Sequence, residues 1–260
     1  MTHVLVTRPL ESAQALAGKL ESLGLLPIVM PLYGFSKCEP SLDMISDRTA
    51  QKDQTLADQK PGNQTPVKRQ LAIFTSPRAV KFGLAHIPPD QLADLEFAVI
   101  GSATRSELVA RGHTVHLQPG TGYTSEDLLQ LPELAHGQGD AFIFCAPGGR
   151  ETLAEGLDDL GWRVVKAMVY ERVPLQPDSE TIDALLGAED LVSIWTSISA
   201  LKLARESLPA DAWEKILMAP ALVISTRIQH HLQQLGATRV ELADGPGNPE
   251  LLRSILRLTG

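Results

Sequence analysis

The sequence contains one kind of segment twice, and this internal repetition limits the folds that the chain can adopt. Gly24 stands nine residues before Tyr33, and Gly161 stands nine residues before Tyr170. Each glycine follows leucines one, four and eight positions earlier, which is a helical spacing that ends at a glycine. The leucines are Leu23, Leu20 and Leu16 in the first copy and Leu160, Leu157 and Leu153 in the second. Each copy predicts a strand–helix–strand unit, which we call the short repeat.

A second and longer repeat also occurs twice. It begins with a Thr-Ser pair that follows an apolar run, at Thr75-Ser76 and again at Thr196-Ser197. Further along each copy, a Val-Ile pair precedes a glycine by the same spacing. These are Val99-Ile100 with Gly112, and Val223-Ile224 with Gly236. The repeats occur in the order short, long, short, long, so the chain contains two related halves.

Short apolar runs alternate with stretches of helical periodicity, which is typical of parallel sheets covered by helices. The clearest helix is predicted for 11–23, with Leu16, Leu20 and Leu23 on its apolar face. The sequence therefore predicts an α/β fold. The predicted strands are His3–Val6, Ile28–Met30, Leu71–Phe74, Phe97–Ile100, Thr114–Leu117, Ala141–Phe144, Val164–Met168, Leu191–Trp195, Ala221–Ile224 and Val240–Leu242.

Composition and charge exclude several classes of protein. The 260 residues are 43% hydrophobic and 21% charged, as in a globular protein with room for two cores. The net charge of −8 argues against general binding to nucleic acid or to an anionic membrane. No apolar run reaches the roughly 18 residues that a membrane helix needs. The first residues lack the features of a secretory signal, which predicts a cytoplasmic protein with Cys38 and Cys145 as free thiols.

Cofactor and metal motifs are weak. The segment Gly120-Thr121-Gly122-Tyr123 begins like a dinucleotide loop but lacks the third glycine. The segment Gly148-Gly149-Arg150 is interpreted as a close-approach turn between a strand and a helix. The histidines are scattered except for His230-His231, whose side chains point about 100° apart on a helix. We therefore expect neither a metal nor an organic cofactor.

The two kinds of repeat can combine in two ways, because a short repeat alone cannot cover both faces of a sheet. If neighbouring repeats pair, one linker joins two consecutive domains. If the first short repeat pairs with the last long repeat, the middle of the chain forms a continuous domain and two linkers are needed. The break after Phe35 and the proline-containing stretch 172–178 are candidate linkers. Spacing alone leaves both arrangements open.

Four turns combine hydroxyl groups with a helix start at predicted carboxyl ends of strands. Parallel α/β proteins bind ligands there, because helix N-termini present free N–H groups and a partial positive charge. In one turn Ser76 is a suitable N-cap, Pro77 suits the first helical position, and Arg78 is placed to face an anion. The others are Gly101-Ser102-Ala103-Thr104-Arg105, Thr196-Ser197-Ile198-Ser199 and Ser225-Thr226-Arg227. Capping alone explains each turn, whereas their repetition in both halves favours an anion-binding cleft if the halves face one another.

Tyr33 and Tyr170 end the two short repeats at equivalent positions. A tyrosine side chain is normally protonated near neutral pH and can donate its proton to a leaving hydroxyl group within hydrogen-bond reach. For Tyr33 we favour packing at the end of a strand. For Tyr170 packing and proton donation both remain open on the residues alone.

Three segments together resemble the uroporphyrinogen-III synthase family in their order and spacing. They are Phe74-Thr75-Ser76-Pro77-Arg78-Ala79-Val80, Val99-Ile100-Gly101-Ser102-Ala103-Thr104 and Val169-Tyr170-Glu171-Arg172-Val173. Further similarity is found at 6–9, 122–128 and 247–251, so the resemblance spans nearly the whole chain. The sequence departs from the family pattern at Ile198, where the first copy has a proline, at Ser225, where relatives often have a glycine, and in the long polar stretch 46–66.

The resemblance implies a crossed arrangement of two parallel-sheet, flavodoxin/Rossmann-like α/β domains of related topology joined by a two-stranded linker. Domain 1 would contain 1–35 and 174–260, and domain 2 would contain 36–173, with linkers near 34–39 and 171–177. The implied reaction is the cyclisation of hydroxymethylbilane to uroporphyrinogen III, with loss of water and inversion of ring D, in haem biosynthesis. No cofactor or metal is implied, and we expect a monomer.

The resemblance also implies roles for particular residues. Tyr170 would be catalytic as the acid that protonates the leaving hydroxyl. The substrate carries eight carboxylates, which suit helix N-termini, hydroxyl groups and a few arginines. The expected substrate-binding residues are Thr75, Ser76, Arg78, Gly101, Ser102, Thr104, Thr196, Ser197, Ser225 and Thr226. Because the free bilane closes spontaneously to the uninverted isomer, we expect positioning of its two ends to matter more than acid catalysis.

Two other functions are compatible with parts of the sequence. A non-catalytic two-domain protein that binds a small polyanion would share the cleft and the linkers. A dinucleotide or flavin oxidoreductase is disfavoured by the incomplete glycine motif.

Overall fold

The structure is a computed structural model that divides into two compact units. Unit 1 comprises Met1–Gly34 and Arg172–Gly260, and unit 2 comprises Phe35–Glu171. The residues described are 1–39, 69–135, 139–148 and 151–259. The polar stretch 46–66 and residues 149 and 150 of the predicted glycine turn lie outside these ranges.

Unit 1 contains a five-stranded sheet with the order β11-β10-β9-β1-β2. All of its strand pairs are parallel. Its strands are β1 (Thr2–Val6), β2 (Leu26–Val29), β9 (Asp190–Trp195), β10 (Ala221–Val223) and β11 (Val240–Leu242). Its helices are α1 (Leu10–Glu21), α6 (Ser179–Gly187), α7 (Ile198–Ser207), α8 (Ala210–Met218), α9 (Thr226–Gln234) and α10 (Asn248–Thr259).

Unit 2 contains a four-stranded parallel sheet with the order β5-β4-β6-β7. Its strands are β4 (Arg69–Phe74), β5 (Glu96–Val99), β6 (Gly139–Cys145) and β7 (Arg163–Met168). Its α-helices are α2 (Pro77–Gly83), α3 (Ser102–Ala110), α4 (Ser125–Leu129) and α5 (Glu151–Asp159). Short 3₁₀ segments occur at Leu84–His86, Leu92–Asp94 and Pro132–Leu134.

A separate two-stranded sheet contains both points at which the chain passes from one unit to the other. It pairs β3 (Tyr33–Lys37) with β8 (Tyr170–Pro174). Backbone hydrogen bonds from Leu175 to Leu32 and from Cys38 to Val169 flank the pair. The strand β8 ends at Pro174, in keeping with the expectation that the prolines of this stretch stop a strand.

The sheet orders show the internal repetition that the sequence predicts. The order of strands across the two sheets corresponds. In unit 1 the neighbours are β10, β9, β1 and β2, and the strands at the same places in unit 2 are β5, β4, β6 and β7. Registers agree as well, because Trp195 lies opposite Val223 in unit 1 as Phe74 lies opposite Val99 in unit 2. The predicted α/β class with parallel sheets is therefore confirmed.

The central strands β4 and β6 of unit 2 are buried on both faces, which is what their continuous apolar runs predict. In β4, Leu71 and Ile73 face one hydrophobic core, while Phe74 faces the other. Phe74 stacks on Phe144 of β6 with ring centroids 4.7 Å apart. Tyr170 belongs to the same core as these rings, so the packing of the central strands fixes the place of the tyrosine.

Two predictions for local structure are wrong. Leu23 is not on the buried face, since α1 ends at Glu21 and the Leu23 side chain is 45% exposed. The segment 114–117 forms one isolated bridge, between Leu117 and Ala98, and not a strand. A longer ladder is absent there because the Phe97 N–H donates to the imidazole Nδ1 of His116, 2.9 Å away, and not to a backbone carbonyl.

The second copy of the short repeat buries two of its three predicted leucines, while Leu160 follows the helix and is half-buried. Leu153 and Leu157 are buried in α5, and Gly161 follows the helix with a positive φ of 89°. Gly24 has the same role after α1, with a φ of 77°. Within the described ranges, no helix has the length and apolar character required to cross a bilayer.

Candidate functional site

The turn after β4 places the hydroxyl groups of Thr75 and Ser76 at the carboxyl edge of the sheet of unit 2. Thr75 Oγ1 donates to the backbone carbonyl of Phe144 at 3.2 Å, which ties the turn to β6. Ser76 Oγ accepts the Ala79 N–H at 3.1 Å, and Pro77 is the first residue of α2. The prediction that Ser76 caps this helix is therefore confirmed.

The Ser76 hydroxyl also contacts Tyr170, 94 positions later in the chain. The two side-chain oxygens are 3.0 Å apart, and either can be the donor. Because Ser76 Oγ already accepts from Ala79, its own proton is available to Tyr170. In that arrangement the phenol accepts from Ser76 and keeps its own proton for another partner.

Aromatic rings enclose Tyr170, and 8% of its surface is exposed. Phe82 stacks on it at a centroid distance of 5.8 Å, and Phe35 meets it edge-on, also at 5.8 Å. The guanidinium of Arg78 lies over the Phe35 ring at 3.9 Å. No carboxylate of the described residues forms an ion pair with Arg78. In unit 2 the Tyr170 ring and the Arg78 guanidinium therefore both pack against the ring of Phe35.

The turn after β5 has a different character. Gly101 is the extended residue before α3, and a Cβ at this position would meet no atom within 4 Å. The Ser102 side chain is exposed, whereas Thr104 is 3% exposed. No hydrogen bond or ring contact of the described residues joins Thr104 to Tyr170. The structure thus brings Ser76 and Arg78 close to Tyr170, through a direct contact for Ser76 and through the Phe35 ring for Arg78. Thr75 lies next to Ser76 in the same turn, whereas the Gly101 turn has no described contact with this group.

The two predicted turns of unit 1 both start helices. Ser197 Oγ accepts the Ala200 N–H at 3.3 Å, and Ser225 Oγ accepts the Ile228 N–H at 3.4 Å. Thr196 is half-buried and Thr226 is exposed. Neither serine hydroxyl contacts a tyrosine within the part of the chain that the structure describes. These turns provide helix starts with hydroxyl groups, as the sequence predicts.

Unit 1 also contains a polar group that the sequence did not identify as functional. Arg8 follows β1, and its Nη1 donates to Oδ1 of Asn248 at 2.6 Å. Burial lowers the pKa of the Arg8 guanidinium from its usual value, while the charge of the nearby Tyr33 acts in the opposite direction. Arg172 lies over the Tyr33 ring at 5.3 Å. The available signal was the position of Arg8 two residues after β1, an internal strand of the parallel sheet.

The described residues contain no cluster of three or more His, Cys, Asp or Glu side chains suited to a metal ion. Cys38 and Cys145 are both free, in agreement with the sequence. Burial raises the pKa of the Cys145 thiol, with Lys166 acting in the opposite direction, so this sulfur is a poor nucleophile near neutral pH. The turns described above carry hydroxyl and guanidinium groups and the backbone N–H groups of helix starts.

Known proteins share both the sequence pattern and the fold of this chain. Residues 14–253 match the family model described as HEM4, uroporphyrinogen-III synthase HemD. Over 97% of the chain and 99% of the relative, the sequence is 29% identical to the uroporphyrinogen-III synthase of Salmonella typhimurium. It is 28% identical to that of Escherichia coli, with the same shares covered.

Solved structures of low sequence identity agree in fold. The synthetase of Helicobacter pylori matches with a TM-score of 0.61 at 17% identity, over 99% of this chain and 100% of that one. A mutant enzyme of Thermus thermophilus matches with a TM-score of 0.53 at 20% identity, over 100% and 99% of the two chains. Since the family model covers most of its length, the chain belongs to the uroporphyrinogen-III synthase family.

Proposed function

We propose that this chain cyclises hydroxymethylbilane to uroporphyrinogen III in haem biosynthesis, with loss of water and inversion of ring D. The observation that carries the proposal is the family match over residues 14–253. The contact between Ser76 and Tyr170 supports it, because it places a hydroxyl proton donor at the edge of a parallel sheet where ligands bind. This is a lyase reaction.

Tyr170 acts as the acid in the first step of this proposal. Its phenolic proton passes to the oxygen of the hydroxymethyl group, the C–O bond breaks, and water leaves. The azafulvene that remains is attacked by the substituted carbon of ring D, and the resulting spiro intermediate fragments and recloses with ring D inverted. The proton that the closing pyrrole loses balances the one that Tyr170 supplies. Ser76 supports the step by donating to the phenol oxygen, which favours the charge left on it.

The carboxylates of the substrate bind at turns that combine helix starts with hydroxyl groups. In unit 2 these groups are the Thr75 and Ser76 hydroxyls, the Arg78 guanidinium, and the Gly101-Ser102 turn with Thr104. In unit 1 they are the turns at Thr196-Ser197 and Ser225-Thr226. Helix N-termini attract anions without fixing them in one geometry, which suits a flexible tetrapyrrole. We also propose that the domains of this enzyme comprise 1–35 with 174–260, and 36–173.

The experiment that tests this function supplies hydroxymethylbilane to the purified protein and separates the oxidised uroporphyrin isomers. We expect isomer III above the isomer I that forms spontaneously, and heat-treated protein is the control. Isomer I alone, at the background rate, would overturn the proposal. An absorbance spectrum of the purified protein adds a second check, because bound flavin or haem would contradict a reaction that needs no cofactor.

The cytoplasmic location and the monomeric state stay predictions. Sedimentation velocity of the purified protein measures the mass of the particle, which we expect to equal that of one 28.1 kDa chain. Cell fractionation with an antibody against the protein tests the location. A dimer at micromolar concentration would contradict the first prediction, and recovery in the membrane fraction would contradict the second.

A further inference from the structure

Arg8 of unit 1 is a half-buried cation without a described counter-charge. Among the described residues, no carboxylate lies within 4.0 Å of the Arg8 guanidinium, and the one side-chain hydrogen bond of Arg8 is to Asn248. A guanidinium has five N–H donors, and this contact uses one of them. Partial burial of a charge without a partner is costly, which suggests that the partner is a ligand.

The surroundings of Arg8 add to the positive charge. Its titratable neighbour Tyr33 is buried at 7% exposure, and the exposed Arg172 guanidinium covers the ring of this tyrosine at 5.3 Å. Arg172 likewise has no ion pair with a carboxylate of the described residues. Arg172 therefore lies over the Tyr33 ring and Arg8 lies near this residue, in a chain whose net charge is −8. Such a local excess of positive charge favours an anion.

The position of Arg8 fits a ligand site. It follows β1, the strand between β9 and β2, so it lies at the carboxyl edge of the parallel sheet. Thr7, the preceding residue, is fixed by a 2.7 Å hydrogen bond from its hydroxyl to the Ile194 carbonyl. Asn248 accepts a hydrogen bond from the guanidinium through its amide oxygen. The Thr7 contact thus fixes the residue next to Arg8, and the Asn248 contact orients the Arg8 side chain.

We propose that Arg8, oriented by Asn248, binds a carboxylate of the tetrapyrrole substrate and sets its affinity. This inference rests on the proposed function and adds a specific cation in unit 1 to it. Arginine is suited to the task because its planar donors pair with both oxygens of a carboxylate. Arg8 is here a binding residue, and Asn248 is a positioning residue that acts through it.

The first test compares Arg8→Gln with Arg205→Gln. The control removes one positive charge from an exposed residue in the last turn of α7, at the opposite end of that helix from Ser197. We expect Arg8→Gln to raise the KM for hydroxymethylbilane about tenfold and to change kcat less than about threefold, as loss of uniform binding does. Arg205→Gln should leave both constants unchanged. An unchanged KM in Arg8→Gln would overturn the proposal.

The second test separates binding from support of the fold. Asn248→Asp places a carboxylate 2.6 Å from the guanidinium, so that the protein supplies the counter-charge itself. We expect the Tm to stay level or to rise while KM increases about tenfold, because the substrate then competes with a resident anion. A purely structural role for the pair would leave KM unchanged, and that result would contradict the proposal.

A third measurement uses a stable polycarboxylate and needs no turnover. Uroporphyrin III is titrated into the wild type and into Arg8→Gln, with its fluorescence as the signal, at several salt concentrations. At low salt the wild type should bind uroporphyrin III about tenfold more tightly than Arg8→Gln does, and this difference in affinity should shrink as the salt concentration rises. Equal affinities at all salt concentrations would overturn the proposal for Arg8. Formation of isomer I alone by the wild type would contradict the proposed function instead, so the two failures are distinguishable.

Discussion

The two Thr-Ser turns of this chain begin with the same pair of residues, but their serines differ in their contacts. Ser76 in unit 2 caps α2 and also lies 3.0 Å from the Tyr170 hydroxyl. Ser197 in unit 1 caps α7, and its described contacts include no tyrosine. The tyrosine equivalent to Tyr170 in unit 1 is Tyr33, which lies under Arg172 and near Arg8.

This difference shows what a capping motif does and does not indicate. In both units the serine satisfies an N–H group at a helix start, and the Thr-Ser sequence is sufficient for that. In unit 2 the same hydroxyl has a second partner that can carry a proton. In unit 1 the equivalent region offers positive charge. We therefore propose that two copies of one scaffold serve two kinds of chemistry, proton donation in unit 2 and anion binding in unit 1.

The largest expected effect separates the two tyrosines. Tyr170→Phe keeps the ring that packs against Phe35 and Phe82 but removes the proton donor. We expect kcat for isomer III to fall about a hundredfold, the lower end of the range for acid catalysis, because positioning of the substrate remains. Tyr33→Phe is the matched control and should change kcat less than about threefold. Comparable activity of the two variants would remove the functional distinction between the units.

The second prediction compares the two capping serines. Ser76→Ala and Ser197→Ala each remove one cap and should each lower the free energy of unfolding by about 1 kcal/mol. Ser76→Ala should in addition lower kcat about tenfold, since the Tyr170 hydroxyl loses a hydrogen bond. Chemical denaturation and the isomer assay measure the two effects. Equal kcat values would show that the contact with Tyr170 has no part in the reaction.

The third prediction concerns the residue two positions after each serine. Unit 2 has Arg78, which lies over Phe35, and unit 1 has Ser199. Arg78→Gln should raise KM about fivefold, as expected for a partly exposed ion pair with a substrate carboxylate. Ser199→Ala should leave KM unchanged. Steady-state kinetics at low ionic strength give the clearest comparison, and the difference should be lost at a salt concentration of about 0.5 M.

Sequence patterns were sufficient for the sheets because both faces of the central strands are apolar. The runs around Leu71 and Leu191 could not be placed anywhere except in a buried strand. The apolar pattern wrongly predicted a strand at 114–117, where the imidazole of His116 accepts a hydrogen bond from the Phe97 N–H. A backbone hydrogen bond to an imidazole has no signature in hydrophobic periodicity, so the ladder ended earlier than expected.

The candidate site was predictable only in its local parts. The caps at Ser76, Ser197 and Ser225 depend on neighbouring residues, and all three are present. The contact between Arg8 and Asn248 joins residues 240 positions apart, and nothing local to either residue predicts it. Long-range polar contacts depend on how β1 and α10 pack, which the spacing of apolar residues does not specify.

The smallest expected effect concerns an acidic residue of each unit that is held by an arginine. Glu96 in unit 2 accepts two hydrogen bonds from Arg69, at 2.8 and 2.6 Å, and these lower the pKa of its carboxyl group. Asp244 in unit 1 accepts two from Arg257, at 2.9 and 2.8 Å, which likewise lower its pKa. A lowered pKa in the folded state means that stabilisation is complete above the unfolded pKa and is lost as pH falls through the folded one.

Glu96→Gln should therefore lower the Tm at pH 7, and this effect should shrink as the pH falls from the usual glutamate pKa of about 4.3 through the lower pKa of the folded state. Since about a third of the Glu96 side chain is exposed, screening limits the effect to roughly 1 kcal/mol or less, or about 2–4 °C. Asp244→Asn should give a smaller decrease, because Arg69 is also held by the Glu133 carbonyl and by the Trp162 ring, whereas Arg257 is more exposed. Thermal unfolding at pH 7 and pH 3 measures both. A larger decrease for Asp244→Asn than for Glu96→Gln would show that exposure does not rank these two ion pairs.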